Sequence, residues 1–346
     1  MGSFYYLKKF VKGAIMKFVC VGAGSIGKRH LKNLLAIGTK HEDISVVETR
    51  EDRREEVVGL GIHSVFTSLD LALSKRQHDA GLICSPTNLH IPQAIQLAEA
   101  GCHILMEKPL AHNLDESNLL RRLIEENELV LLMAYIFRFS PLTSLVKKML
   151  SENRIGKVLY VRGEFSEYLP DWHPYEDYRS FYMANKSEGG GSILDQSHIM
   201  DLIHHLFGSF KAVKAFNGKI SSLEINADDY SEMLLEMESG VIASIHTDIF
   251  GRDHKKQLEI KGESGNILWD SNSNTVSLYS ADTKDKVIYE DFAVDFNLNY
   301  LEEIQHFIRC CGGQESPVAS LDTGIETMEL ILAAERSARN NLVEKV

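Results

Sequence analysis

Short apolar runs alternate with helical stretches through the first part of the chain. The runs at 17–21, 44–48, 81–84 and 103–106 are rich in Val, Ile, Leu and Cys, and amphipathic patterns follow the first and third of them. Continuous apolar runs are typical of strands buried in a parallel sheet, and helices connect such strands. The pattern predicts an α/β domain with a parallel sheet in the first part of the chain.

From residue 138 onward the pattern changes to β-rich runs separated by Gly, Asn, Asp and Ser. Such runs predict strands. Two amphipathic patterns, at 298–311 and 323–340, predict closing helices. We therefore expect a second domain over 138–346, with residues 1–15 as an N-terminal arm. The predicted strands lie at 157–168, 212–220, 229–237, 240–249, 256–262, 265–270 and 275–280.

Composition narrows the function. The 346 residues carry 49 acidic and 37 basic side chains, a net charge of −12, which argues against nucleic-acid or acidic-membrane partners. Five cysteines without a C-x-x-C pair are typical of buried thiols in a reducing compartment. Lysines interrupt the apolar N-terminus, and no run reaches the ~18 apolar residues of a membrane span. We expect a cytoplasmic protein.

A glycine motif follows the first predicted strand and opens a helical pattern. Gly22 would allow a tight turn, Gly24 a close approach of pyrophosphate, and Gly27 the packing of helix against strand. Phosphates would lie on the helix N-terminus at Ser25 and Ile26. The motif predicts a dinucleotide site.

Glu48 ends the second predicted strand, 21 residues past the last glycine. Its carboxylate would accept hydrogen bonds from the adenosine ribose and repel a 2′-phosphate, so we expect NAD as cofactor. Arg50, Arg53 and Arg54 follow and could offset the repulsion between Glu48 and a 2′-phosphate, which leaves NADP possible.

More polar residues follow the third and fourth predicted strands. In open parallel sheets, ligands lie outside the carboxyl ends of the strands. We therefore expect these residues to contact the cofactor: Ser85, Pro86, Thr87, Asn88, His90, Glu107 and Lys108.

The stretch "GGGSILDQSHIMDLIHHLFG" at 189–208 combines three glycines with acids and histidines. If it is helical from residue 193, Asp195, His198, Asp201 and His205 lie within one 120° arc. The residues alone leave three alternatives: a metal site, a buried network, or acid–base machinery. No H-E-x-x-H pattern and no nearby cysteine supports a metal, and we expect none.

Several motifs in this order resemble the Gfo/Idh/MocA family of NAD(P)-dependent oxidoreductases. They are the glycine motif, "SPTNLH", "MEKPLA", "FRFSP", "GGGSILDQSHIMD" and "LEIKGESGNILWD". The resemblance implies a dinucleotide-binding Rossmann domain over 16–137, followed by an α+β domain over 138–346 with an open, mostly antiparallel sheet. In the family that sheet often forms subunit interfaces, so we expect a homodimer or homotetramer.

The resemblance also implies a catalytic group of Lys108, Asp195 and His198 over the nicotinamide. Lys108 and His198 would manage the substrate's hydroxyl proton, with Asp195 orienting the imidazole. The common family pattern has His four residues after the Asp, whereas three separate them here.

Substrate contacts are expected from an aromatic and charged segment at 167–191. Trp172, Tyr178 and Arg179, together with Arg138 of "FRFSP", are the candidate substrate residues, and His173 and Tyr175 lie in the same segment. We expect hydride transfer between nicotinamide and a carbinol carbon of a sugar, polyol or nucleotide sugar. Two alternatives stay open: an NAD-dependent glycosidase and a non-catalytic NAD-binding regulator.

Overall fold

A computed structural model describes residues 16–172, 174, 176–290, 292 and 295–346, so the expected arm at 1–15 lies outside the described residues. Six parallel strands form the first sheet in the order β3-β2-β1-β4-β5-β6, the doubly wound order of a Rossmann domain. These strands are β1 (Phe18–Val21), β2 (Ile44–Val47), β3 (Ser64–Phe66), β4 (Ala80–Ile83), β5 (His103–Met106) and β6 (Leu131–Met133).

Helices connect consecutive strands of this sheet, because parallel strands need crossover connections. The central strands β1, β2 and β4 are completely buried, as their apolar runs predict. The helices of this part are α1 (Ser25–Ala36), α2 (Glu51–Gly59), α3 (Leu69–Lys75), α4 (His90–Glu99) and α5 (Ser117–Glu126). The carboxyl ends of β1, β2, β4 and β5 lie along one edge, where the candidate site begins.

Nine strands form the second sheet, in the order β14-β13-β12-β11-β7-β10-β9-β8-β15. Among the described strands of this second sheet, only β7 and β10 pair in parallel, and the other pairs are antiparallel. The strands are β7 (Val158–Tyr168), β8 (Phe210–Gly218), β9 (Tyr230–Met237), β10 (Ile242–Asp248), β11 (Phe250–Gly262), β12 (Gly265–Asp270), β13 (Thr275–Ser280), β14 (Lys286–Tyr289) and β15 (Glu344–Lys345).

Side chains on this sheet alternate between an inner face, packed against helices, and an outer face. Phe165, Leu258 and Trp269 are inner-face residues in the core. Phe216 and Leu234 are on the outer face and are more than half exposed. The helices of this part are α6 (Pro141–Ser151), α7 (Ser192–Asp195), α8 (His198–Phe207), α9 (Asn297–Cys311) and α10 (Leu321–Asn340).

The expected fold class is confirmed: a parallel Rossmann sheet and a mostly antiparallel second sheet. The predicted domain boundary at residue 137 falls between β6 and β7. One local expectation is wrong, because the helix predicted from residue 193 is interrupted at Gln196 and Ser197. A hydrogen bond to β10 stabilises this break in the helix: Gln196 Nε2 donates to the Asp248 carbonyl at 2.7 Å. No helix within the described ranges is long and apolar enough to cross a membrane.

Candidate active site

The glycine loop between β1 and α1 is tightly packed against the end of β4. Gly22 has φ +93°, and a Cβ there would lie 2.6 Å from the Cys84 carbonyl oxygen. A Cβ on Gly27 would lie 2.0 Å from the Gly22 carbonyl oxygen. Any larger residue would push the loop and helix apart, so both glycines are required by packing.

The N-terminus of α1 is arranged to receive an anion. Gly24 is its N-cap, and no side chain caps the first turn, which begins at Ser25 and Ile26. Above Gly24 the nearest group is the Arg53 guanidinium, 3.6 Å from where a Cβ would stand. Free N–H groups, the positive end of the helix and a nearby cation suit a pyrophosphate.

Glu48 follows β2 and has a fixed carboxylate. Its Oε2 accepts from the Ala23 N–H at 2.8 Å and its Oε1 from the Arg50 N–H at 2.9 Å. A carboxylate has about four acceptor positions, so it retains capacity for ribose hydroxyls. The negative charge thus stands beside the glycine loop, where the sequence predicts it.

The arginines after Glu48 have different partners. Arg50 pairs with Asp52 through two hydrogen bonds of 3.1 and 2.6 Å. Arg54 donates to the backbone carbonyls of Glu48 and Thr49. Only Arg53, beside Gly24, lies against the loop that would hold phosphate.

The segment after β4 forms the next part of this edge. Ser85 Oγ donates to Gln93 Oε1 at 2.6 Å, and Pro86 precedes a short 3-10 turn at Thr87–Leu89. Asn88 Oδ1 is buried and has no hydrogen-bond partner among the described residues. Buried polar atoms normally have partners, so Asn88 is suited to a ligand donor. Thr87 is buried against the second domain, where a Cβ on Gly189 would meet it at 2.7 Å.

His90 has a structural position rather than the expected cofactor contact. Its Nδ1 lies 2.8 Å from the Pro109 carbonyl oxygen and its Nε2 2.9 Å from that of Ser85. It therefore joins the loops after β4 and β5, and burial lowers its pKa. A neutral imidazole donates to one of these carbonyl oxygens, and both ring nitrogens face the chain's own backbone, so the assignment to the cofactor does not fit this geometry.

The Glu-Lys-Pro segment follows β5. Glu107 Oε1 lies 2.9 Å from His30 Nε2 on α1, which ties the end of β5 to the helix of the glycine motif. Lys108 precedes a cis peptide bond to Pro109. Its Nζ donates to the Asp195 backbone oxygen at 2.6 Å and to Asp195 Oδ1 at 3.1 Å. Both side chains of the ion pair are mostly buried, with 14% and 8% of their surface exposed.

Asp195 and His198 are not paired as the sequence predicts. Asp195 ends α7 and His198 begins α8, so the interruption between them removes the i, i+3 relation of one helix. Asp195 Oδ1 instead accepts from Lys108 and from the Tyr182 hydroxyl, the latter at 3.1 Å. The expected orientation of the imidazole by Asp195 is therefore replaced by orientation of Lys108.

His198 is packed against aromatic side chains. The Phe137 and Tyr135 rings meet it edge-on, with centroids at 5.3 and 6.1 Å. Its Nδ1 is buried without a hydrogen-bond partner in the part of the chain that the structure describes. Burial, then the charges of Lys108 and Lys256, hold the pKa of His198 well below its usual value. The imidazole is therefore neutral at neutral pH.

Tyr182 is a site residue that the sequence analysis missed. It belongs to the aromatic segment, but only the folded chain brings its hydroxyl to Asp195. Burial, followed by the charge of Asp195, raises the pKa of Tyr182, so the phenol keeps its proton and donates. A tyrosine 13 residues before the aspartate gave no recognisable spacing signal.

The two candidate substrate arginines have acidic partners. Arg138 forms hydrogen bonds of 2.7–3.0 Å to Asp201, and both side chains are almost completely buried. Arg179 is about half exposed and binds Asp177 and Glu224 at 2.8 and 2.7 Å. The Arg138 pair joins "FRFSP" to α8, so its predicted substrate contact does not fit the geometry.

The aromatic residues of the 167–191 segment pack on a small apolar cluster. Trp172 and Tyr178 contact the buried group that includes Leu169, Phe181 and Leu223. Trp172 Nε1 is buried without a partner among the described residues. His173 and Tyr175 lie outside the described residues. The segment therefore has a packing role, and its predicted substrate contacts stay a prediction.

Taken together, the glycine loop, the free N-terminus of α1, the fixed Glu48 and the unpartnered Asn88 fit a dinucleotide. Lys108 lies at the same sheet edge, bound to Asp195, and its charge acts on the buried imidazole of His198. Within the described ranges no cluster of three His, Cys, Asp or Glu side chains has a metal-binding arrangement. These features define a dinucleotide-dependent oxidoreductase.

Comparison with known proteins gives the family. Residues 16–135 match the family model described as oxidoreductase family, NAD-binding Rossmann fold, and 143–268 match the GFO/IDH/MocA C-terminal domain. The chain belongs to the GFO/IDH/MocA family of NAD-binding oxidoreductases. The expected NAD cofactor and enzyme class are thereby confirmed, and the alternative of a non-catalytic regulator is not supported.

Two curated relatives and one solved structure are similar over nearly the whole chain. The scyllo-inositol 2-dehydrogenase (NAD(+)) of Bacillus subtilis (strain 168) is 26% identical, with 93% of this chain and 94% of the relative covered. The D-xylose 1-dehydrogenase (NADP(+)) 2 of Haloferax volcanii is 25% identical, covering 93% and 97%. A levoglucosan dehydrogenase solved with NADH has the same fold: TM-score 0.84, 20% identity, covering 96% and 99%.

Tyr182→Phe should reduce kcat/KM about tenfold with little loss of melting temperature, because it removes one hydrogen bond to a charged carboxylate and keeps the ring. Tyr160→Phe is a matched control, since that hydroxyl lies 2.6 Å from Ser244 Oγ on the outer face of the second sheet, away from the candidate site. Steady-state kinetics and thermal denaturation measure both. Equal effects of the two variants would contradict a role for Tyr182 at the site.

Proposed function

We propose that this chain oxidises a carbinol carbon of an uncharged sugar or polyol with NAD⁺ as the hydride acceptor. The three similar proteins described above are named for inositol, xylose and levoglucosan, which are uncharged polyhydroxylated compounds. Another relative is named for glucose 6-phosphate, so the preference for an uncharged substrate rests on the charge pairing within this chain. The observation that carries the proposal is Lys108, which Asp195 holds at the carboxyl end of β5.

An uncharged substrate is supported by the pairing of the candidate cations. A nucleotide sugar needs positive groups for its phosphates, and the two expected arginines already have acidic partners. Arg138 is neutralised by Asp201, and Arg179 by Asp177 and Glu224. Separating a buried arginine from its acid to bind phosphate would be costly. We therefore favour a free sugar or polyol over a nucleotide sugar.

The chemistry requires removal of a hydride from carbon and a proton from the hydroxyl. Bound NAD⁺ supplies the hydride acceptor, held by the glycine loop and Glu48. A lysine ammonium has three N–H donors, and Asp195 accepts two hydrogen bonds from Lys108. The remaining position of Lys108 is available to the substrate oxygen.

The Lys108 ammonium gives one proton to the neutral imidazole of His198 and takes up the hydroxyl proton in its place, while the hydride leaves the carbinol carbon for the NAD⁺ that would be bound there. His198 is neutral because burial and the Lys108 charge lower its pKa, so it accepts a proton without first losing one. In the reverse reduction the same groups return the proton to the carbonyl oxygen. Asp195 and Tyr182 keep the Lys108 nitrogen in place during both directions.

Purified protein should reduce NAD⁺, followed by absorbance at 340 nm, with at least one member of a panel of inositols, pentoses, hexoses and anhydrosugars. Lys108→Ala should lower kcat by about 10²–10⁴ because it removes a positioned proton-transfer group. Lys108→Arg should be nearly as damaging, since guanidinium keeps its proton. NAD binding, measured by calorimetry, should remain close to that of the wild type.

A Lys108→Ala enzyme with near-normal kcat would contradict the assignment and leave His198 as the base. Net NADH formation also separates a dehydrogenase from the glycosidase alternative, which oxidises and re-reduces its sugar in one turnover. Cleavage of a glycoside without net NADH would favour that alternative.

NAD should be preferred over NADP by kcat/KM. The Glu48 carboxylate is fixed by two backbone N–H groups beside the ribose position and would repel a 2′-phosphate. Glu48→Gln removes the charge and should reduce the ratio of NAD to NADP efficiency. Arg50→Gln is the control, because Arg50 is occupied by Asp52. An equal or better wild-type efficiency with NADP would overturn the proposal.

The outer face of the second sheet is the proposed subunit interface. Phe216, Leu234 and Ile242, on β8, β9 and β10, form an interface patch with 59%, 54% and 40% exposure. Neighbouring apolar residues on an open sheet face are typical of protein contacts. We propose that this patch joins two copies of the chain, in a dimer or tetramer.

Analytical ultracentrifugation should find the wild type as a dimer or tetramer and Leu234→Arg as a smaller species. The charge would be buried unpaired in the interface. Leu71→Arg, at an exposed leucine on α3, should leave the assembly unchanged. A monomeric wild type would contradict the proposed interface.

A further inference from the structure

The inner face of the second sheet becomes polar at one end of β7 and β11. Lys256 is paired in register with Phe165, a core residue, so it points to the inner face. Glu167 is two residues after Phe165 on β7 and shares that face. Lys256 Nζ lies 2.9 Å from Glu167 Oε1, and 30% and 17% of the two side chains are exposed. An ion pair thus follows the apolar core residues on the inner face of the second sheet.

This ion pair lies near the aromatic side chains that pack against His198. The Phe165 ring meets Phe137 with centroids 5.5 Å apart, and Phe137 in turn meets His198 at 5.3 Å. Lys256 is the register partner of Phe165 and therefore lies next to this chain of aromatic contacts. Its position is on the second domain, across from Lys108 on the first.

The electrostatics agree with that placement. Lys108, after β5, and Lys256, on β11, are the two charges that lower the pKa of His198 in addition to burial. Tyr135 faces His198 with a neutral phenol, and Asp201, on the same helix, is bound by Arg138. His198 is therefore influenced by the charges of both lysines, one from each domain.

We propose that Lys256 and Glu167 form a substrate subsite that binds hydroxyl groups next to the reacting carbon. Lys256 Nζ donates to one hydroxyl and the Glu167 carboxylate accepts from another, so the pair recognises neighbouring hydroxyls of an uncharged polyol. This inference rests on the proposed function and deepens it. The partial exposure of both side chains leaves their remaining donor and acceptor positions accessible.

The adjacent lysine provides a matched control. Lys255 is on the same strand but faces outward, where it forms a similar pair with Glu164 at 3.2 Å. It lies on β11, two strands away from β10 and outside the interface patch. Lys255→Met and Lys256→Met therefore remove the same charge and the same kind of ion pair from opposite faces.

The kinetic arm uses the best polyol of the panel with saturating NAD⁺. Lys256→Met should raise KM for the polyol about tenfold, the effect of losing a hydrogen bond to a charged group. Its kcat should stay within about threefold, because binding rather than chemistry is affected. Glu167→Gln should raise KM in the same direction, and Lys255→Met should leave KM unchanged.

The second arm needs no substrate. Nuclear magnetic resonance of ¹⁵N-histidine-labelled protein, with the signal assigned through His198→Gln, follows the titration of His198. Lys256→Met should raise the pKa of His198, because one of the two charges opposing its protonation is removed. Lys255→Met should not change it. If Lys256→Met does not fold, Lys256→Gln removes the charge while keeping a donor and serves in both arms.

The outcomes separate the two proposals. If no polyol of the panel supports NAD⁺ reduction by the wild type, the proposed function is refuted, and the polyol subsite with it. An active wild type whose KM is the same in Lys256→Met refutes the subsite alone. An unchanged His198 titration refutes the placement of Lys256 beside the reacting groups.

Discussion

The buried ion pair between Lys108 and Asp195 links the two halves of the molecule. Lys108 follows β5 of the Rossmann sheet, and Asp195 ends α7, which is anchored to the second sheet through Ser192 and Thr247. Burying two charges is costly unless each is fully hydrogen-bonded. Here Asp195 offers two acceptors to Lys108, and Tyr182 donates to the same carboxylate. The arrangement places one amine where a dinucleotide and a substrate would meet.

Charge pairing is also the basis of the substrate class that we propose. The cations suggested for an anionic substrate, Arg138 and Arg179, are held by their own acids. His198 is kept neutral by burial and by nearby lysines. The surroundings of Lys108 thus combine a proton acceptor with paired charges, which suits hydroxyl groups better than phosphates.

Much of the fold and of the cofactor site could be predicted from the sequence, because local signals carry them. The glycine spacing, the apolar strands and Glu48 at a strand end all depend on neighbours in the chain. The contacts of His90, Arg138 and Tyr182 depend instead on partners brought together by folding, such as Pro109, Asp201 and Asp195. Sequence spacing could not reveal them.

The helix interruption at Gln196 is a similar case. The apolar periodicity of the stretch is helical, but the bond from the Gln196 side chain to the Asp248 carbonyl belongs to the tertiary structure. It separates Asp195 from His198 and directs the carboxylate to Lys108. The roles that we propose for Asp195 and Lys108 therefore follow from a long-range contact rather than from the spacing of two residues.

The most direct test of this account is the fate of a deuterium label on the carbinol carbon of the polyol. The account predicts that the wild type transfers the label to NADH, detected by mass spectrometry, and that Lys108→Ala with NAD bound transfers it far more slowly. NADH without deuterium, or equal transfer by both proteins, would contradict the account.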